Sequence, residues 1–331
     1  MEKFKKVWRN NQHIVRLLII MVVWLVFMAL TRFRKFYTFN NFQTMASQFP
    51  EYGIMSMGVM LCMITGGIDL SCVGIANLTS ILAAVWMTKL AGQAGVLSAG
   101  YYPLIFLLAI VVGTVCGALN GFLISRIRIP PILATLGVNQ LLTGICIAST
   151  GGAAMSAFPK QFTDSVAGNI GGVVPVRLIV FVVLAVVIWF MLSRTTYGAK
   201  LHLLGTSEKV AFYSGLNTTG LLMRTYITSG VYSALGGLMM LATYASARAD
   251  YGQQYTLQTI LIVVLGGVSP NGGKGRLSGV VLAILVLKLL ESGINRFQNV
   301  SSYYISLIWG GVLILAMMLD YFSDRSRARA R

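Results

Sequence analysis

The chain offers little for covalent chemistry: two histidines, four cysteines and nine acidic residues among 331. His13 and His202 are far apart in sequence, and no HExxH or Gly-x-Ser-x-Gly pattern occurs. Cys62, Cys72, Cys116 and Cys146 fall in apolar stretches without CxxC spacing, which suits small buried hydrophobes better than a metal or redox site. The run Gly266-Gly267-Val268-Ser269-Pro270-Asn271-Gly272-Gly273-Lys274-Gly275-Arg276 has the glycine content of a phosphate loop. That motif needs a glycine where Val268 stands and a Ser or Thr where Gly275 follows the lysine. The run therefore reads as a tight turn carrying two basic residues. Neither a cofactor, a metal nor an ATP site is expected. What remains is recognition and movement.

The elements that must position such groups are set by composition. Hydrophobic residues make up 56% and charged residues 11%, with mean hydropathy +0.76, against about 45–50% and about 25% in a soluble domain. So few charges cannot cover a water-facing surface. An ordinary cytosolic enzyme, a nucleic-acid module and a disordered chain are excluded, leaving an all-α polytopic membrane bundle. Runs long enough for a helical crossing fall at 14–31, 44–66, 71–90, 102–125, 131–150, 175–193, 221–244, 256–269, 277–293 and 302–321. That predicts about ten transmembrane helices in one domain spanning 1–331. The eighth run is too short for a straight crossing and is expected to be broken or re-entrant.

The net charge of +17 then becomes a question of sidedness rather than of nucleic acid, because cytoplasmic loops collect Lys and Arg. With the N-terminus inside, the inner segments hold 17 of the 26 basic residues and the outer ones eight; Lys288 lies within a span. Arg32, Arg34 and Lys35 run against this locally. The expectation is a multi-pass protein of the cell (inner) membrane, with cytoplasmic termini at 1–13 and 322–331. The first apolar run, preceded by Lys3, Lys5, Lys6 and Arg9 and lacking a small-residue cleavage pattern, is expected to stay as an anchor.

Helices in lipid associate through small residues that let backbones approach. Gly113, Gly117 and Gly121 repeat every four residues along one face, and Ser229, Ser233 and Gly237 form a second stripe. Polar groups inside spans need partners or a wet cavity. Asn120, Asn139 and Gln140 are open to either reading, interhelical bonding or lining of a polar solute's path; Lys288 and Glu291, three apart, can neutralise one another. In Gly66-Gly67-Ile68-Asp69-Leu70-Ser71, the glycines stop one helix and Asp69 or Ser71 can cap the next, although Asp69 is also a candidate for contact with a solute or gate. The segment from Gly205 to Gly215 is too polar to cross. Thr206 or Ser207 can cap a short helix, Glu208 suits its first turn, Gly215 ends it, and Val210, Ala211 and Ser214 offer a small-to-apolar face for a partner's groove.

Gly66–Ser71, the stretch Ile129-Pro130-Pro131-Ile132-Leu133-Ala134-Thr135-Leu136-Gly137, the 205–215 segment and the 266–275 turn occur in this order over nearly the whole chain. In this it resembles the permease subunits of ATP-binding-cassette importers for ribose and related monosaccharides, a family that includes autoinducer-2 permeases. Ser246–Gly252 leans toward the autoinducer-2 and deoxysugar members. It departs from the family where Cys72 intervenes before Val73-Gly74, where Ser207 replaces an asparagine, and where Val210 replaces an alanine. The resemblance implies a pathway formed with a second permease subunit, identical or a sister, in contact with membrane lipid. It also implies cytoplasmic ATP-binding subunits beneath and an extracytoplasmic solute-binding protein above. Residues 205–215 would be the coupling helix, with Gly205, Glu208, Ala211, Ser214 and Gly215 facing the ATPase. Asp69, Asn120, Asn139 and Gln140 would line the path. A stand-alone secondary transporter is the competing reading, but only Asp69 and Glu291 are candidates for the ion-binding acids it needs. An intramembrane enzyme finds no motif to support it.

Overall fold

The computed structural model describes residues 12–92 and 95–297, with scattered helical positions beyond. The helices, in chain order, are α1 (Gln12–Phe36), α2 (Phe39–Gln48), α3 (Pro50–Ile64), α4 (Cys72–Ala91), α5 (Tyr102–Ser125), α6 (Pro131–Thr150) and α7 (Gln161–Ala167). After a small hairpin, β1 (Asn169–Ile170) antiparallel to β2 (Val174–Pro175), come α8 (Val176–Arg194), α9 (Thr196–Thr206), α10 (Glu208–Tyr213), α11 (Thr218–Tyr244), α12 (Tyr255–Leu265) and α13 (Leu277–Ile294). Among the described residues, six helices are long and apolar enough to cross a membrane, so this is a multi-pass bundle.

Several boundaries follow from local chemistry. Pro50, Pro103 and Pro131 sit in the first turns of α3, α5 and α6, where a missing N–H costs nothing. Gly151 closes α6 in the left-handed region at φ +61°. The expected second span, 44–66, is not one helix: it divides at Phe49 into α2 and α3, since Pro50 starts a new helix. The expected eighth span is α12, only 11 residues long. The tenth, 302–321, lies outside the described residues apart from scattered helical positions, as do most of 1–13 and all of 322–331.

The core is built around α3, every residue of which is buried. Around it stand α11, α12, α8 and α13. The glycine stripe of α5 lies on α11. A Cβ on Gly113 would come within 2.5 Å of the Gly230 carbonyl oxygen, one on Gly117 within 2.4 Å of the Tyr226 carbonyl oxygen, and Gly121 abuts Met223. Gly237 meets Ala76 as closely, which brings α4 against α11, and the Ser80 hydroxyl donates to the Gly237 carbonyl at 2.8 Å. All four cysteines are free and buried. Outside these contacts, α1 leans on α13, where the Trp24 indole donates to the Leu289 carbonyl at 3.0 Å.

Candidate functional site

The break between α3 and α4 is a buried polar seam. Gly66, at φ +84°, turns the chain out of α3. Asp69 is fully buried and accepts three bonds: from the Ser71 amide at 2.9 Å, the Ser71 hydroxyl at 2.6 Å and the Ser229 hydroxyl at 2.6 Å. The Asn120 amide in turn donates to the Ser71 oxygen at 2.7 Å. One carboxyl group thus ties the α3–α4 break to α11 and, through Ser71, to α5. Asp69 binds Ser71 just ahead of α4 rather than the free amides of the helix itself, and Ser71 makes no side-chain cap.

Those amides find a partner in another helix. Asn139 of α6 accepts from the Gly74 amide at 2.9 Å, a cap supplied from across the interface. Thr135, one turn earlier, accepts from the Leu70 amide at 3.1 Å and donates to the Ile68 carbonyl at 3.2 Å. Gly74 is needed there, since a Cβ would lie 2.6 Å from the Asn139 oxygen. Asn120 and Asn139 are therefore engaged between helices, whereas Gln140 is exposed on the outer face of α6. Lys288 and Glu291 pair at 3.1 Å.

A second polar group is one that motif reasoning passes over. Glu51, in the first turn of α3, is buried and accepts from the Tyr255 hydroxyl of α12. Tyr244 of α11 lies 3.2 Å from that hydroxyl, and Arg177 at the start of α8 donates to Thr243 close by. An acid inside an otherwise apolar run was the available signal. Glu51 and Asp69 thus knit opposite ends of α3 and its continuation to the surrounding helices.

One end of the bundle gathers the segments expected inside. The Gly273 amide donates to the Ile64 carbonyl at 2.9 Å, Gly205 lies against both, and His13 lies against Gly267. The 266–276 run bonds its amides to its own carbonyls and to Ile64 (Ser269 to Lys274, Gly272 to Ser269), forming a turn and not a phosphate cradle. Beyond it, Ser207 caps α10 by accepting from the Val210 amide at 3.3 Å, Glu208 occupies the first turn, and Gly215 ends it at φ +78°. Glu208 pairs with Arg128 of the α5–α6 connection. The exposed face overlaps the expected one in part: Glu208, Val210, Ser214 and Gly215 are exposed. Ala211 is buried, Gly205 packs on backbone, and the Ser214 hydroxyl turns back to the Val210 carbonyl at 2.8 Å. The large apolar side chains offered outward are Val210, Phe212 and Tyr213, the last 86% exposed. Ala211, flanked by Val210 and Phe212, gave no sequence cue that it alone of the three would be buried.

Residues 41–319 match the family described as branched-chain amino acid transport system / permease component. The chain is 31% identical to the ribose import permease protein of Bacillus subtilis over 85% of its own length and 84% of the relative's. It is 30% identical to the D-allose transport system permease protein of Escherichia coli K12, covering 86% and 84%. To the autoinducer 2 import system permease protein of Escherichia coli O9:H4 it is 31% identical, covering 82% and 81%. No solved structure matches it.

Proposed function

Because the chain belongs to this family of transport-system permease components, we propose that it is the membrane-spanning subunit of an ATP-binding-cassette importer for a monosaccharide or autoinducer-2-like solute. The observation that carries this reading is kinship across more than four-fifths of the chain with ribose, allose and autoinducer 2 permeases. The transporter works as a pair of permease subunits in the cell membrane. Cytoplasmic ATPases bind beneath, and an extracytoplasmic binding protein delivers the solute. The face with α10 is cytoplasmic, in keeping with its larger share of Lys and Arg. The permease makes and breaks no covalent bond.

The geometry supplies a route for the force. An ATPase seated on Val210, Phe212 and Tyr213 pushes α10, which is tied to the α5–α6 connection by Glu208–Arg128. Through Gly205 the push reaches Ile64 and the 266–276 turn, the point where α3 gives way to the Asp69 seam. Nucleotide binding shifts the equilibrium between two packings because the ATPase dimer fits one of them better. Purification from native membranes in mild detergent tests the reading. Stoichiometric ATPase recovered with the chain is the expected result; a chain that never co-purifies with an ATPase would remove it.

A further inference from the structure

His202 lies in the second half of α9, just ahead of the segment that becomes α10. Each of its ring nitrogens faces a backbone oxygen. Nδ1 is 2.8 Å from the Gly198 carbonyl of its own helix, and Nε2 is 3.1 Å from the Gly275 carbonyl of the turn that precedes α13. A carbonyl oxygen can only accept. A neutral imidazole carries one N–H, so it satisfies one of these oxygens and turns a lone pair on the other; the imidazolium donates to both. The Gly198 contact spans one turn of a single helix and is set by the backbone of α9. The contact that depends on charge is therefore the one to Gly275, which joins two separate elements.

The hollow beside the ring, about 590 Å³, is lined by Lys274 and Arg276 with Ser193 and Ser278, and by no Asp or Glu among the described residues. Arg276 has a partner of its own. Arg194, at the end of α8, lies over the Trp189 ring on the same wall, and Lys200 is exposed two residues earlier on α9. On the other neighbouring helices, Glu208 of α10 pairs with Arg128, while Lys209 and Arg224 are exposed. Two backbone oxygens thus favour a charged ring against the surrounding cations. We infer that His202 is a protonation-dependent positioning residue: as an imidazolium it clips α9 to the 266–276 turn, and on losing a proton it releases that turn. The clip is closed at low pH and opens as pH rises. It lies near the contact of Gly205 with Ile64 and Gly273, so it fixes the seat from which α10 moves. That consequence for coupling rests on the importer reading; the clip itself rests on the two distances.

Nitrogen NMR of the full chain in lipid nanodiscs, with isotope-labelled histidine, reads the ring directly. His13 and His202 are the two histidines, and His202→Gln assigns their signals. At about pH 5 both ring nitrogens of His202 carry a proton, and toward about pH 8 one of them loses it, the range over which histidine changes charge. Spin labels at Ala199→Cys and Asn271→Cys, both exposed, report the spacing of α9 and the turn, since the four native cysteines are buried. With His202 in place, the label distance is narrow at the lower pH and broadens at the higher. His202→Gln, which stays neutral, is broad at both. His202→Arg, whose fork of N–H donors stays charged and has the hollow to extend into, is narrow at both. A single N–H on His202 across the whole range would overturn the proposal. So would the same pH-dependent broadening in all three proteins. Both measurements need neither an ATPase nor a solute, so they are decided separately from the purification that tests the importer reading.

Discussion

Asp69 shows how much one side chain in lipid can organise. Every bond it makes is accepted from a donor that has no water to turn to: the Ser71 amide and the Ser71 and Ser229 hydroxyls. Removing the carboxyl strands those donors, at roughly 1–3 kcal/mol for each one left unpaired. Asp69→Ala is therefore expected to lower the thermal midpoint of the detergent-solubilised protein strongly. Asp69→Asn, which keeps one acceptor oxygen, falls between. A selective loss of transport in Asp69→Asn with stability unchanged would instead point to contact with the solute. The sequence made Asp69 visible because an acid after two glycines stands out in an apolar field. It did not reveal that Asn139 caps α4 from α6, since a separation of 65 residues along the chain carries no periodic cue. Glu51 was equally readable as an acid within a span, but its partners Tyr255 and Arg177 come from distant helices.

At the scale of elements, the four-residue glycine repeat translated directly into packing, because spacing alone puts Gly113, Gly117 and Gly121 on one face of α5. Gly230 is the reciprocal half: a Cβ there would lie 2.2 Å from the Gly113 carbonyl oxygen. Gly117→Val is expected to destabilise by about 1–3 kcal/mol, the usual cost of overpacking. Gly137→Ala, around which a Cβ meets nothing within 4 Å, should not lower the melting midpoint, since Ala is the better helix former. The short α10 was legible from its cap and its glycine stop, but its exposed face only in part (Val210 and Ser214, not Ala211), since six residues are too few for periodicity to set the rotation. Glu208→Lys turns its ion pair with Arg128 into repulsion, and Gly215→Trp forces a bulky residue into the left-handed region. Both are expected to reduce ATPase recovery and solute uptake while the chain still inserts, as read by membrane fractionation and pull-down. Unchanged uptake in both variants would remove α10 from the coupling route.

On the scale of the whole molecule, hydropathy located the crossings well where a helix is uniformly apolar: 102–125 and 131–150 coincide with α5 and α6. It failed where apolarity and helix length part company. The run 44–66 hides a division at Phe49, whereas the eighth run, expected to be too short for a straight crossing, is the 11-residue α12. Among the described residues, Arg128, Lys209, Lys274 and Arg276 lie at the end that holds α10 and the 266–276 turn.

The central claim, that this bundle moves solute only when an ATPase drives it, is tested most directly by uptake in proteoliposomes. Loaded with the chain, its co-purified ATPase and its binding protein, the vesicles should accumulate sugar or autoinducer-2-type solute when ATP is supplied and stay empty without it. Accumulation by the chain alone under an ion gradient would contradict the account.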